Sequence, residues 1–229
     1  MKLLSLFSGI GAFEKALVRE HISFEICNYC EIDKYASKAY SILYGVSEEL
    51  NIGDITKVEE TSLSNSIEII TYGFPCTDIS ITGKQVGFYD ESGRKTRSGL
   101  FFDALRIIKH VKPKVAIAEN VKNLVSRTFE KQFSIVLNSL EESGYKNYWK
   151  VLNAKEYGIP QNRERVFIIS VRNDIDKEFE FPDSVKLRHR LVDMLEEDVP
   201  EKYYVKPELA KNLNIKEIPN MFEDEIRPI

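Results

Sequence analysis

A Pro-Cys pair is the part of this chain best suited to covalent chemistry. Cys76 follows Pro75 shortly after an apolar run, residues 67–72, that predicts a buried strand. A thiolate is a strong nucleophile, and ligands of open α/β folds bind at the carboxyl edge of the sheet. An isolated Pro-Cys pair is more often a half-buried structural cysteine after a turn. Other segments of the chain favour the chemical interpretation.

A carboxylate and two arginines form a second candidate group. Glu119 ends an apolar run, residues 115–121, that predicts another buried strand, where a carboxylate is costly unless it has a partner or a task. Arg163 and Arg165 precede the apolar residues 166–171 and, two apart in an extended segment, point to one side. A solvated charged turn explains the two arginines equally well.

A glycine-rich turn follows the first predicted strand, residues 3–7. The turn Ser8-Gly9-Ile10-Gly11 leads into a helical pattern over residues 12–19. Glycines let a ligand approach the backbone, and a helix N-terminus offers free N–H groups. The arrangement is typical of a nucleotide-type binding unit, although a tight turn alone would also need these glycines.

Carboxylates follow the next two segments at the same predicted edge. Glu31 and Asp33 end the strand over residues 24–30, and we assign Glu31 to ribose hydroxyls and Asp33 to capping the helix over residues 34–43. Asp54 could accept from an adenine amino group, with Ile55 packing on the ring. Asp54 could equally be an ordinary turn residue after glycine.

A long polar segment, residues 78–99, separates Cys76 from the helix predicted over residues 100–111. It contains four glycines and several cations, including Lys84 and Arg97. Structureless loops of this length are usually lids or disordered segments, and cations in a lid can meet phosphates. A flexible lid is therefore predicted, and an ordinary solvated loop is the alternative.

Composition limits the kinds of function. The chain has 229 residues and a formal charge of −4, which disfavours a surface that wraps nucleic acid but allows a local basic cleft. Three cysteines provide no even disulfide framework, so a reducing, cytoplasmic location is expected. Cys27 and Cys30 lack the second pair that zinc needs and are interpreted as structural. No apolar run approaches 18 residues, so no membrane partner is expected.

Together these segments resemble the cytosine-C5 DNA methyltransferase family of the bacterial or phage restriction-modification type. The resemblance covers approximately residues 1–180. The matching motifs stand in the family's order: Phe7-Ser8-Gly9-Ile10-Gly11, Glu31-Ile32-Asp33, Asp54-Ile55, Gly73-Phe74-Pro75-Cys76, Glu119-Asn120-Val121 and Gln161-Asn162-Arg163-Glu164-Arg165.

The resemblance implies an α/β fold of the class I, Rossmann-like kind. Its mostly parallel sheet would have one antiparallel strand and flanking helices. The implied cofactor is S-adenosylmethionine, with S-adenosylhomocysteine as product, and Ile32 stands where the family often has an aromatic. The implied cofactor-binding residues are Phe7, Gly9, Ile10, Gly11, Glu31, Ile32, Asp54, Ile55, Pro75 and Leu100.

The resemblance also implies roles at a cytosine flipped out of double-stranded DNA. Cys76 would attack C6, Glu119 would bind N3 and the amino group, and Arg165, supported by Arg163, would hold the O2 side. The implied DNA-contacting residues of the loop are Ser80, Gly83, Lys84, Gln85 and Arg97.

The predicted organisation is a catalytic domain over residues 1–187. Residues 188–229 would form a hinge, a tail or the start of a target-recognition domain, with a short amphipathic helix over residues 188–197. We expect recognition to come from a second polypeptide or a missing C-terminal region. The alternatives are a tRNA cytosine-C5 methyltransferase, which Pro75-Cys76-Thr77 mildly disfavours, and a non-catalytic module that binds S-adenosylmethionine or DNA.

Overall fold

The computed structural model describes residues 1–64, 66–76, 87–175 and 177–210. Met1–Leu152 and Glu164–Phe181 form one compact unit. Asn153–Arg163 and the described residues from Pro182 onward form a second. The predicted domain boundary at residue 187 stays a prediction.

A six-stranded mixed sheet forms the centre of the first unit. Its strands lie in the order β2-β1-β3-β4-β6-β5, and their bounds are β1 Lys2–Leu6, β2 Glu25–Cys30, β3 Ile69–Tyr72, β4 Val115–Val121, β5 Tyr145–Asn153 and β6 Glu164–Arg172. The pairs β1–β2, β1–β3 and β3–β4 are parallel, whereas β6 runs antiparallel to β4. The predicted fold class is confirmed.

Helices of the first unit connect strands of the sheet, and one further helix lies in the second unit. Their bounds are α1 Ala12–Arg19, α2 Lys34–Tyr44, α3 Phe101–Val111, α4 Glu130–Glu141 and, in the second unit, α5 Pro207–Ala210. The apolar residues of α3 recur at helical spacing, so that Phe101, Ala104 and Ile108 are completely buried. No described helix is both long enough and apolar enough to cross a membrane.

Residues 51–55 lie beside β2, as expected, with a parallel bridge from Asn51 to Tyr29, and Gly53 has a φ of +69°. One predicted element differs from the structure. The helix predicted over residues 188–197 is wrong, since only a 3₁₀ turn, Leu191–Met194, lies there. Asp193 accepts from the Arg190 N–H at 2.7 Å and closes this turn on itself.

Residues 87–99 form a packed hairpin, so the prediction of a structureless loop is wrong for this half of the segment. Tyr89 and Lys95 make an antiparallel bridge. Phe88 is buried against the Phe101 and Phe102 rings of α3. Lys95 Nζ also donates to Asp103 Oδ2 at 2.7 Å. Residues 77–86 lie outside the described part of the chain.

Substituting Gly99 with alanine should destabilise the protein by about 1–3 kcal/mol. A Cβ at this position would lie 2.5 Å from the Phe88 carbonyl oxygen, a backbone atom that cannot swing aside. Urea unfolding measures the effect. Glu91→Ala, on the exposed turn of the same hairpin, is the control and should change stability by less than about 0.5 kcal/mol. Equal unfolding midpoints for Gly99→Ala and the unsubstituted chain would contradict this packing.

Candidate functional site

The glycine-rich turn after β1 is held in an unusual backbone conformation. Phe7, Gly9 and Gly11 have positive φ angles of +54°, +55° and +85°. The Ser8 N–H donates to the Cys30 carbonyl oxygen at 3.0 Å, which ties the turn to β2. A Cβ on Gly11 would lie 2.3 Å from the Tyr44 ring, so this position requires glycine. The turn is therefore fixed by its neighbours on both sides.

Glu31 links this turn to the start of α2. Its Oε2 accepts from the Gly9 N–H at 2.8 Å, and its Oε1 accepts from the Asp33 N–H at 2.8 Å. Each carboxylate oxygen has a further lone pair, so the half-buried side chain can also accept from a ligand's hydroxyl groups. Asp33 caps α2 as predicted, accepting from the N–H groups of Tyr35 and Ala36.

Asn51 is a positioning residue that the sequence reasoning missed. Its Oδ1 accepts from the N–H groups of Glu31 at 3.0 Å and Gly53 at 2.9 Å. Its Nδ2 donates to the Glu31 carbonyl and to Ser37 Oγ, both at 2.9 Å. One side chain thus fixes the segments that carry Glu31 and Asp54. The sequence signal is Asn-x-Gly, which indicates a turn but does not identify these partners.

Asp54 and Ile55 lie beside this group in different surroundings. Hydrogen bonds from the side chain and N–H of Thr56 lower the pKa of Asp54 below its ordinary value. Ile55 is 4% exposed and belongs to the core, so little of its side chain is available to a ligand. The predicted stacking of an adenine ring on Ile55 stays a prediction.

Exposed apolar surface at this edge comes instead from two other isoleucines. Ile32 is 77% exposed and Ile10 is 59% exposed, although both follow buried strands closely. Ser8 Oγ is buried and, among the described residues, has no hydrogen-bond partner. Apolar side chains in the open beside an unpaired hydroxyl suit a ligand that has both a flat ring and polar groups.

The Pro-Cys segment leaves the carboxyl end of β3 and is anchored from β4. Asn120 is buried, and its Nδ2 donates to the Phe74 carbonyl oxygen at 3.1 Å. The Phe74 ring is itself buried against Phe101. Cys76 is a free, half-buried thiol just beyond this anchor. Asn120 belongs to the Glu119-Asn120-Val121 motif, but only the structure shows its partner.

Glu119 and Arg165 form an ion pair at the same edge. In the antiparallel register Glu119 lies opposite Phe167 and Arg165 lies opposite Val121, so the two charged side chains share one face of the sheet. Arg165 Nε lies 3.0 Å from Glu119 Oε1, and the side chains are 25% and 28% exposed. Glu119 has therefore the partner that its position on an apolar strand requires.

This pair also lies next to the Pro-Cys segment. A Cβ built on Gly73 would lie 3.5 Å from Glu119 Oε2, so glycine leaves space for the carboxylate there. A cavity of about 500 Å³ opens beside Arg165; it is lined by Val121, Lys122, Asn123, Val125, Ser126, Glu164 and Arg165. The arrangement places a free thiol, a carboxylate and a cation around one sheet edge.

The remaining predicted residues are distributed as follows. Pro75 and Leu100 are half-buried, and Leu100 packs against the core. Arg97 is exposed. Arg163 lies in the second unit, where its N–H donates to Asn153 Oδ1 at 3.1 Å. Its supporting role stays a prediction. Four predicted residues lie outside the described part of the chain, namely Ser80, Gly83, Lys84 and Gln85.

The other two cysteines have structural surroundings. The Cys30 thiol is buried and donates to the Gly53 carbonyl oxygen at 3.0 Å. Burial raises the pKa of Cys30 to about 12. Burial and the nearby Glu25 carboxylate also raise the pKa of Cys27. Among the described residues, no group of three or more His, Cys, Asp or Glu side chains could hold a metal ion.

Comparison with known proteins gives a consistent result. The model of the C-5 cytosine-specific DNA methylase family matches residues 1–226. The orphan methyltransferase M.SPRI of Bacillus phage SPR is 34% identical over 95% of this chain and 55% of the relative. The type II methyltransferase M.HhaI of Haemophilus parahaemolyticus is 40% identical over 90% of this chain and 60% of the relative.

A solved structure supports the same fold. The S. pombe Dnmt2 methyltransferase superposes with a TM-score of 0.72 at 22% identity, over 93% of this chain and 66% of that one. At this level of identity the likeness shows the fold alone. The chain spans about half the length of the curated relatives it matches.

Alkylation should distinguish the Cys30 thiol from the Cys76 thiol. At pH 8 a thiol with a pKa near 12 is ionised to roughly one part in 10⁴, so Cys30 should stay unmodified by iodoacetamide while Cys76 reacts. Peptide mass spectrometry measures the extent at each cysteine, and in 6 M urea (about the concentration that unfolds most domains) all three should react. Equal rates at Cys30 and Cys76 in the folded protein would contradict the structural assignment.

Proposed function

The chain belongs to the C-5 cytosine-specific DNA methylase family, and we propose that it carries the catalytic part of a DNA (cytosine-5-)-methyltransferase. The reaction would move a methyl group from S-adenosylmethionine to C5 of a cytosine in DNA. The observation that supports this most directly is the Glu119–Arg165 ion pair against the segment that carries Cys76. Relatives named as methyltransferases from phage and bacteria also support it.

The residues at the carboxyl edge of β1 and β2 fit the cofactor. The N–H groups of the glycine-rich turn and the Glu31 carboxylate would hold its polar groups, and Ile10 and Ile32 offer apolar surface for its adenine. The buried Ser8 hydroxyl lacks a partner among the described residues and is a further candidate contact. When bound, S-adenosylmethionine supplies an electrophilic methyl group on a positively charged sulfur.

Cys76 would activate the cytosine by covalent addition. Its thiolate forms a bond to C6, and the electron pair of the C5–C6 double bond moves so that C5 becomes nucleophilic. Once C5 has been methylated, loss of the C5 proton to a base, for which we propose water, restores the double bond. The same step expels the Cys76 thiolate, so the enzyme is regenerated.

Glu119 would hold the cytosine while this happens. Its carboxyl group, carrying or sharing a proton, faces N3 and the amino group, so negative charge does not accumulate on the ring. Arg165 keeps the carboxylate oriented through the 3.0 Å contact and, with Arg163, would hold the O2 side. None of these groups can reach a base stacked within a duplex, so the cytosine must be flipped out.

Recognition of a particular DNA sequence would come from elsewhere. We place it outside residues 1–187, in residues 188–229 together with a further protein region or a second polypeptide. The net charge of −4 supports this, because a surface that reads DNA is usually basic. Tritiated methyl transfer to mixed-sequence DNA, by the chain alone and with lysate from its source, would show whether a partner is needed.

DNA that contains 5-fluorocytosine should trap the proposed adduct. Fluorine at C5 cannot leave as a proton does, so the enzyme stays bonded to C6 after methyl transfer. In the presence of S-adenosylmethionine and any required partner, mass spectrometry should map the DNA to Cys76, and Cys76→Ala should form no adduct. An adduct on Cys27 or Cys30 would rule out the proposed nucleophile.

Glu31→Ala should weaken S-adenosylmethionine binding by about 1–2 kcal/mol, as expected for a lost hydrogen bond to a charged group. Asn51→Ala should weaken it by a similar amount, because the Glu31 backbone loses its anchor. Calorimetry measures both affinities. Asn28→Ala, which removes one hydrogen bond to Leu50 nearby, is the matched control and should bind normally.

A cofactor analogue without ribose hydroxyls separates positioning from general destabilisation. Glu31→Ala and Asn51→Ala should bind this analogue almost as well as the unsubstituted chain does, since the contact at issue is then absent. If both variants lose the same affinity for the analogue as for S-adenosylmethionine, Glu31 does not bind the ribose.

A further inference from the structure

A basic cavity lies in the second unit, among residues that the proposed reaction does not use. Its volume is about 350 Å³, and it is lined by Gly158, Val185, Lys186, Arg188 and His189. All five lining residues belong to the second unit. The Lys186, Arg188 and His189 side chains are exposed, so their charged or polar ends can meet a partner from solution.

The backbone that carries these side chains is anchored at its start. The Val185 N–H donates to the Glu156 carbonyl oxygen at 2.7 Å, and Val185 makes a parallel bridge with Tyr157. The Tyr157 hydroxyl donates to the Pro182 carbonyl oxygen at 3.1 Å. Residues 156–157 and 182–185 are therefore bonded to each other, and Lys186 and Arg188 follow directly after the bonded residue Val185.

Within the described residues, Lys186 and Arg188 form no ion pair, whereas the Asp193 carboxylate is close enough to His189 for the two charges to interact. Arg190, two residues after Arg188, does not line the cavity, and its guanidinium forms an ion pair with Asp193 Oδ1 at 3.5 Å. The chain as a whole has a formal charge of −4, so unpaired cations grouped in one place favour an anionic partner.

We propose that this cavity binds backbone phosphates of double-stranded DNA. The proposal rests on the proposed function in taking DNA as the anion. Two neighbouring cations on an anchored segment suit successive phosphates of one strand, and the Arg188 guanidinium can donate two parallel hydrogen bonds to phosphate oxygens. Such contacts position the protein on DNA and carry no sequence information.

Salt-dependent binding tests the proposal. Fluorescence anisotropy with a mixed-sequence duplex of about 24 base pairs would compare the full chain, K186Q/R188Q and K38Q/K131Q between about 50 and 200 mM KCl. Lys38 on α2 and Lys131 on α4 are exposed lysines of the first unit, so the control removes the same charge. All four side chains are at the surface, and thermal unfolding should show unchanged stability.

K186Q/R188Q should bind roughly 5- to 30-fold more weakly near 100 mM KCl, and the slope of log K against log [salt] should become about 1–2 less steep. The control should change affinity less than twofold. Equal losses in the two variants would overturn the proposal, as would a loss that affects only an RNA hairpin of similar length and leaves DNA binding intact.

Turnover distinguishes this proposal from the proposed function. With saturating DNA, K186Q/R188Q should transfer methyl groups at the unsubstituted rate, with KM for DNA raised and kcat unchanged. A lower kcat at unchanged KM would overturn the phosphate assignment. A chain that shows the expected anisotropy difference but never transfers methyl groups, even with lysate, would refute the proposed function and support the DNA contact.

Discussion

The ion pair between Glu119 and Arg165 depends on the antiparallel pairing of β6 with β4. Strands β1 to β4 run in parallel and deliver the glycine-rich turn, Glu31 and the Pro-Cys segment to one edge. Because β6 runs against β4, its beginning lies at that edge, and Arg165 enters beside Glu119. A fully parallel sheet would bring the end of β6 there instead and leave the carboxylate without this partner.

The Glu119–Arg165 ion pair contributes less through its energy than through the orientation that it gives the Glu119 carboxylate. Both side chains are about one quarter exposed, so solvent screens the attraction and the pair contributes about 1 kcal/mol or less to folding. Its effect is to hold one carboxylate oxygen toward Arg165 and leave the other near Gly73, beside the segment that carries Cys76. Orientation of a reacting group is worth more to catalysis than the same contact is worth to stability.

The parts of the fold that could be predicted are those determined by local pattern. The apolar run at residues 115–121 became β4 with the same bounds, and residues 12–19 became α1. The positions of Glu31, Cys76 and Glu119 at or near the carboxyl ends of strands also follow from local pattern, and their chemical roles stay predictions. Asp33 as a helix cap follows from the same local reasoning.

The parts that could not be predicted depend on contacts between distant segments. The sequence shows Phe88 within a polar segment, and only the structure shows that its ring packs against the rings of Phe101 and Phe102. The sequence around Asn51 indicates a turn, and only the structure shows that Asn51 accepts from the N–H of Glu31, which follows β2. The error at residues 188–197 has the opposite origin, since Asp193 closes a local turn where amphipathic spacing favoured a helix.

Glu31 has a structural role and a proposed role in cofactor binding, and this combination has an evolutionary consequence. Its two oxygens hold the Gly9 and Asp33 N–H groups, and the proposed cofactor would use the remaining lone pairs of the same carboxylate. A change to glutamine would replace an acceptor with a donor facing a backbone N–H, and a change to aspartate would shorten the reach to both. With the proposed cofactor contact, selection for folding and selection for ligand binding would act on one side chain, so this position should vary less among descendants than the exposed Ile32 beside it.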